Sequence, residues 1–79
     1  MKVIYNRIDE EFIKLEEARD IIYEIDRTNK EVDWSDYSKM DIEDACDRLN
    51  QENIFDCGTC YYIVEDDISK EELLKVIHG

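Results

Sequence analysis

The sequence predicts a small α+β domain of element order β-α-α-β(β)-α, a short antiparallel or mixed sheet with helices packed on it, on three observations. Apolar residues alternate at the start of the chain, and Tyr61 to Val64 form a nearly continuous apolar run, both patterns of strands. Between and after them they recur at three or four residues, the period of helices. Helix-start patterns precede each of the helical stretches. Seventy-nine residues make one domain, and a chain of this size buries only roughly 60% of its unfolded surface, so the core is small.

In the opening stretch MKVIYNRI, Val3 and Tyr5 alternate with Lys2, Ile4 and Asn6, and the β-branched and aromatic content predicts a strand. From Asp9 to about Arg27, Phe12, Leu15, Ala18, Ile22 and Ile25 predict a helix with one buried stripe, while Asp9, Glu16, Glu17, Asp20 and Glu24 gather on the opposite arc. Ile13 falls inside that acidic arc. A hydrophobic staple to Ile8 around an Asp9 cap accounts for it.

Thr28 to Tyr37 reads as a polar connection holding the single Trp34. A second helix follows, with Ser38 as N-cap, Asp41 three residues on, a Tyr37 to Ile42 staple, and Ile42, Ala45, Cys46 and Leu49 facing inward. Its outward side, Asp41, Glu43, Asp44, Asp47 and Arg48, is then mostly carboxylate. Ile54 to Glu65 predicts a hairpin or one bent strand turning at Asp56-Cys57-Gly58-Thr59, with Tyr61 to Val64 either a central strand or one whose Tyr hydroxyls meet the core edge. Ser69 with Glu72 forms a capping box, and Ile68 to Leu73 a staple, before a C-terminal helix carrying Leu73, Leu74, Val76 and Ile77.

The net charge of −12 is not spread evenly. Residues 1 to 30 carry eight acids and six bases (−2), residues 31 to 67 twelve and two (−10), and residues 68 to 79 two of each. Within 31 to 47, seven acids (Glu31, Asp33, Asp36, Asp41, Glu43, Asp44, Asp47) stand against Lys39 alone, interleaved with Trp34, Tyr37 and Met40. Carboxylates this dense repel one another, so their clustering points to a directed role, and the same field disfavours direct contact with nucleic acid or an anionic membrane. No apolar run is long enough for a signal peptide or a membrane span, and three cysteines do not suit a secreted disulfide framework, so a cytoplasmic location is expected.

Chemical motifs are weak. Cys57-Gly58-Thr59-Cys60 is a CxxC that leads into a strand, not the helix N-terminus a redox pair uses. The one four-ligand set open to zinc is Cys46, Cys57, Cys60 and His78, with no second CxxC behind it; the plainer reading makes Cys46 a small apolar residue and the others thiols flanking a turn. His78 suits a helix C-terminus. Asp41 to Glu52 lacks the order and glycine of a calcium loop. Neither a cofactor nor an enzymatic activity is expected.

In size and charge the chain is similar to the small acidic inhibitors that phages and mobile elements direct against restriction systems, CRISPR effectors or host nucleic-acid enzymes. The likeness is compositional and rests on no family motif. The acid cluster itself, with Trp34 among it, leads to the expectation of a monomer or dimer that binds a basic nucleic-acid-binding protein or effector complex through Asp33, Asp36, Asp41, Glu43, Asp44 and Asp47, with Trp34 as anchor. The alternative is an acidic adaptor or regulatory subunit whose partner has no connection with nucleic acid.

Overall fold

The structure, a computed structural model, describes residues 1–52 and 59–79. It is an α+β domain in which one three-stranded antiparallel sheet, of order β2-β1-β3, separates two unequal helical layers. The elements are β1 (Lys2–Asn6), β2 (Glu11–Ile13), α1 (Leu15–Arg27), α2 (Trp34–Tyr37), α3 (Ile42–Gln51), β3 (Tyr61–Glu65) and α4 (Lys70–His78). β1 is the middle strand and is buried on both faces from Val3 to Asn6. Among the described residues β3 is an edge strand, so there the edge reading of Tyr61 to Val64 holds and the central one does not.

Strand alternation sorts the core into two parts. Ile4, Ile13, Tyr61 and Ile63 point to the α1 and α3 side, where Ala18, Ile22, Tyr37, Ala45, Cys46 and Leu49 complete the larger cluster. Val3, Tyr5, Tyr62 and Val64 point the other way and meet Leu73, with Ile68 and Ile77 at the margin. Leu73 is the only buried residue of α4, while Leu74 and Val76 are exposed.

The expected helix start at Asp9 is replaced by a hairpin. Asn6 accepts the backbone N–H of Ile8 at 3.0 Å and of Asp9 at 3.4 Å, and its amide donates to the Asp9 carboxylate at 3.1 Å. Glu10 takes the left-handed conformation at φ 56°, and β2 returns with Ile13 opposite Ile4 and Phe12 opposite Tyr5. Ile13 is buried because it belongs to a strand, which removes the staple around Asp9. α1 begins six residues later, after Lys14, with no side-chain cap.

The second helix also starts later than expected. Asp41, not Ser38, is its cap, accepting the N–H of Asp44 at 2.8 Å; Ser38 closes the one-turn α2 instead. The inward stripe Ile42, Ala45, Cys46 and Leu49 packs as expected. The Ser69 cap holds as well, its hydroxyl accepting the N–H of Glu72 at 3.2 Å, with Ile68 and Leu73 in one cluster. Of the turn expected at 56–59, all but Thr59 lies outside the described residues.

Candidate acidic interface

The acidic stretch folds back along α1 and then turns into α3. Two contacts fix its course: Arg19 Nε donates to the Met40 carbonyl at 2.8 Å, and Arg48 bonds Asp26 at 2.7 Å. Residues 19 and 40 are thus neighbours, as are 26 and 48, so α1 and α3 run parallel with their N-termini at the same end. Both begin with acids, Glu16 and Glu17 in one first turn and Glu43 and Asp44 in the other. Negative charge there is favoured by the helix dipole, which offsets part of the mutual repulsion.

A buried polar centre pins the three helices of this layer together. Asp26 continues the Ala18 and Ile22 stripe of α1 and is 8% exposed. Its carboxylate accepts the Tyr37 hydroxyl of α2 at 2.6 Å and two guanidinium N–H groups of Arg48 on α3, at 3.2 and 2.7 Å. The Arg48 and Tyr37 hydrogen bonds hold the Asp26 carboxyl below its ordinary range, and the bond to Asp26 in turn raises the Tyr37 hydroxyl and the Arg48 guanidinium. Arg48 also reaches Glu52 at 3.1 Å. One of the few cations in this region is therefore engaged by two carboxylates and leaves the outer surface uncompensated.

Asn50, at the far end of α3, ties the layer to the sheet. Its carbonyl oxygen accepts the N–H groups of Cys60 at 3.1 Å and Tyr61 at 2.9 Å, and its amide donates to the Tyr61 carbonyl at 3.1 Å. Strand β3 is thereby registered against α3 before it pairs with β1.

On this frame Asp33, Asp36, Asp41, Glu43, Asp44 and Asp47 are all exposed, and none has a cationic partner among the described residues. Their local duties differ. Asp33 caps α2 by accepting the Ser35 N–H at 3.1 Å, and Asp41 caps α3. Glu43 and Asp44 complement the α3 dipole. Asp36, on the one-turn α2, and Asp47, in the middle of α3, cap no helix and form no ion pair among the described residues. Trp34 is 40% exposed, with one edge set against Tyr23 at 5.2 Å and 87°; Tyr23 meets Tyr37 in the same way at 5.5 Å. It is half core and half surface. The exposed acids of α1, Glu16, Glu17, Asp20 and Glu24, stand in the same layer and widen the charged face beyond the stretch that first drew notice.

The possible zinc ligands are only partly brought together: Cys46 and Cys60 both lie beside Asn50, whose amide reaches Cys46 Sγ at 3.9 Å. Cys46 is buried in the larger cluster on the α1 and α3 side of the sheet, where burial first and Asp47 second push its thiol up. Cys60 is buried beside Asn50. His78 is exposed at the end of α4, on the other side of the sheet. Cys57 lies outside the described residues. Among the described residues one trio of carboxylates, Glu65, Asp66 and Asp67, converges within 4.8 Å; it is exposed, and the N-terminal ammonium bonds Glu65 at 3.2 Å and Asp66 at 3.5 Å. No described helix is long and apolar enough to cross a membrane.

No protein-family model matches the chain, and neither the curated proteins nor the solved structures contain a significant match to it.

Sequence reasoning found the acids and the inward stripe of α3 but missed the Asp26, Tyr37 and Arg48 centre. A signal for it was present: Ala18, Ile22 and Asp26 are spaced four apart, so the stripe ends on an acid that must be satisfied if it is buried.

Proposed function

We propose that this protein is a small acidic inhibitor that occupies the basic groove of a nucleic-acid-binding protein or effector complex as a DNA or RNA mimic, of the anti-restriction or anti-CRISPR kind. The observation that carries the reading is that six carboxylates, Asp33, Asp36, Asp41, Glu43, Asp44 and Asp47, project from a helical layer with no cationic partner among the described residues. Duplex DNA presents one charge every ~3.4 Å along a strand, and helical neighbours three or four apart place side chains about 5 to 6 Å from one another. Parallel helices with acids on both extend that pattern in a second direction. A basic groove draws such a field in fast, and the complex weakens with salt.

Trp34 favours a second reading, an acidic adaptor or regulatory subunit. A half-exposed indole within a charged rim is the makeup of a protein-interface anchor and has no counterpart in a phosphate backbone.

One experiment separates the two. The tagged protein is bound to resin, incubated with nuclease-treated bacterial lysate and eluted with excess duplex DNA, then with salt. Release of a basic nucleic-acid-binding protein by DNA supports the mimic; partners that stay until the salt step support the adaptor. Glu43→Lys combined with Asp47→Lys abolishes capture in either case, at a stability within about 1 kcal/mol of wild type, because the lost dipole interaction at residue 43 is offset by relief of repulsion. Undiminished capture by the double variant overturns the assignment of the face.

A further inference from the structure

Where the N-terminal hairpin gives way to α1, the sheet and the start of the helix border a cavity of about 310 Å³, with Lys2, Val3, Lys14, Leu15, Glu16 and Arg19 in its walls. β2 ends at Ile13, opposite Ile4, so Val3 and Lys2 run on past it. Lys14 and Leu15 lead into α1, and Arg19 stands one turn beyond Leu15 on the same face. Three of the chain's ten bases thus meet around one hollow, and none of the three forms an ion pair among the described residues. Arg19 is half-buried and held in place. Its Nε donates to the Met40 carbonyl at 2.8 Å, and its two terminal amino groups have no hydrogen-bond partner among the described residues. A guanidinium fixed in this way keeps free the fork that takes a carboxylate.

We propose that this cavity binds a small aliphatic monocarboxylate, its carboxylate against Arg19, Lys2 and Lys14 and its alkyl chain along Val3 and Leu15. The charges that line the cavity choose the sign. Three bases against the single acid Glu16 leave an excess of two positive charges, in a chain whose net charge is −12. An anion is drawn to that spot alone, and the surrounding field turns away anything as highly charged as a nucleic acid. Size and lining choose the rest. The volume stands at the low end of small-molecule pockets, which suits one short chain and not a helix or a folded partner. A bare inorganic anion would leave the apolar walls in water, whereas an alkyl tail covers them. The site uses none of the acids of the candidate face, so it stands or falls independently of the inhibitor reading.

The test is a titration of the isotope-labelled protein with octanoate, followed by amide shifts in heteronuclear NMR spectra. Saturable shifts are expected at Val3, Leu15 and Arg19, with a Kd of about 1 mM, the affinity that ligand efficiency allows about ten heavy atoms. Octanol, which has the tail without the charge, and acetate, which has the charge without the tail, each bind at least about 5-fold more weakly. Arg19 also steadies the chain at Met40, so the lysines make the cleaner variant. Lys2→Gln with Lys14→Gln, both at exposed positions, keeps the wild-type circular dichroism spectrum and loses roughly 5-fold in octanoate affinity. The competing apolar surface is the groove beside α4 that Tyr5, Leu73, Leu74 and Ile77 line. Shifts centred on that groove, shifts that stay linear in octanoate, equal affinity for octanol and octanoate, or a lysine variant that binds as wild type does overturns the proposal.

Discussion

The two faces of the sheet solve opposite problems. Among the described residues the α1, α2 and α3 side buries eight in one cluster, pins three helices through Asp26, and turns unpaired carboxylate outward. Among the described residues the α4 side buries four, has no comparable polar centre, and turns Phe12 and Leu74 outward. A surface that repels itself needs a strong layer beneath it, and a thin layer with apolar edges is a place for something else to pack. The charge and the core are thus distributed together, with the deeper core under the heavier charge.

Core truncations test that contrast most strongly. Leu49→Ala, on the thick side and 3% exposed, is expected to cost about 4 kcal/mol, and Leu73→Ala, 8% exposed beside an open groove that can relax, about 2 kcal/mol, both by urea denaturation at low protein concentration. Equal costs would mean that the two layers are equally packed.

The polar centre comes next. Asp26→Asn leaves Arg48 with the more exposed Glu52 as its remaining charged partner and is expected to cost about 3 kcal/mol, below the upper range for a fully buried pair because the Arg48 side chain is 30% exposed. The pH profile gives the sign. Asp26 titrates lower in the folded chain than in the unfolded one, so its contribution is complete above the unfolded value of about 4 and is lost as pH falls through the lowered one. Tyr37 titrates higher when folded; its contribution is complete below the unfolded value of about 10 and is lost as pH rises through the raised one. Their joint contribution is flat between those limits, and Asp26→Asn flattens the acid limb. An unchanged acid limb would place the stability elsewhere.

How much of this was legible in the sequence follows from where local signals agreed with tertiary ones. Ser69 was readable because cap, staple and period coincided, and the Ala45, Cys46 and Leu49 stripe because its period alone was clear. The N-terminal hairpin was not: its turn contains neither glycine nor proline, Asn6 and the left-handed Glu10 make it, and Asp9 offers the cap signal that Lys14, at the true helix start, lacks. Ile13 in an acidic arc was the visible trace of that misreading. At the second helix two capping residues lie three apart, and propensity alone does not choose between Ser38 and Asp41; the preceding turn of α2, which ends on Ser38 and is fixed by Tyr37 reaching Asp26, decides it. The acids of the candidate face were countable in the sequence, but their lack of cationic partners depends on Arg48 turning inward, which no local pattern encodes.

That lack of compensation is the central claim, and one partner-free measurement reaches it: urea denaturation of the wild-type protein at low and at high sodium chloride, at a protein concentration where it is monomeric. Screening relieves repulsion among unpaired carboxylates, so stability is expected to rise with salt, with little change in the denaturant slope. A fall in stability with salt would mean that the carboxylates are held in attractive pairs, and the case for a face kept negative for a basic partner would lose its foundation.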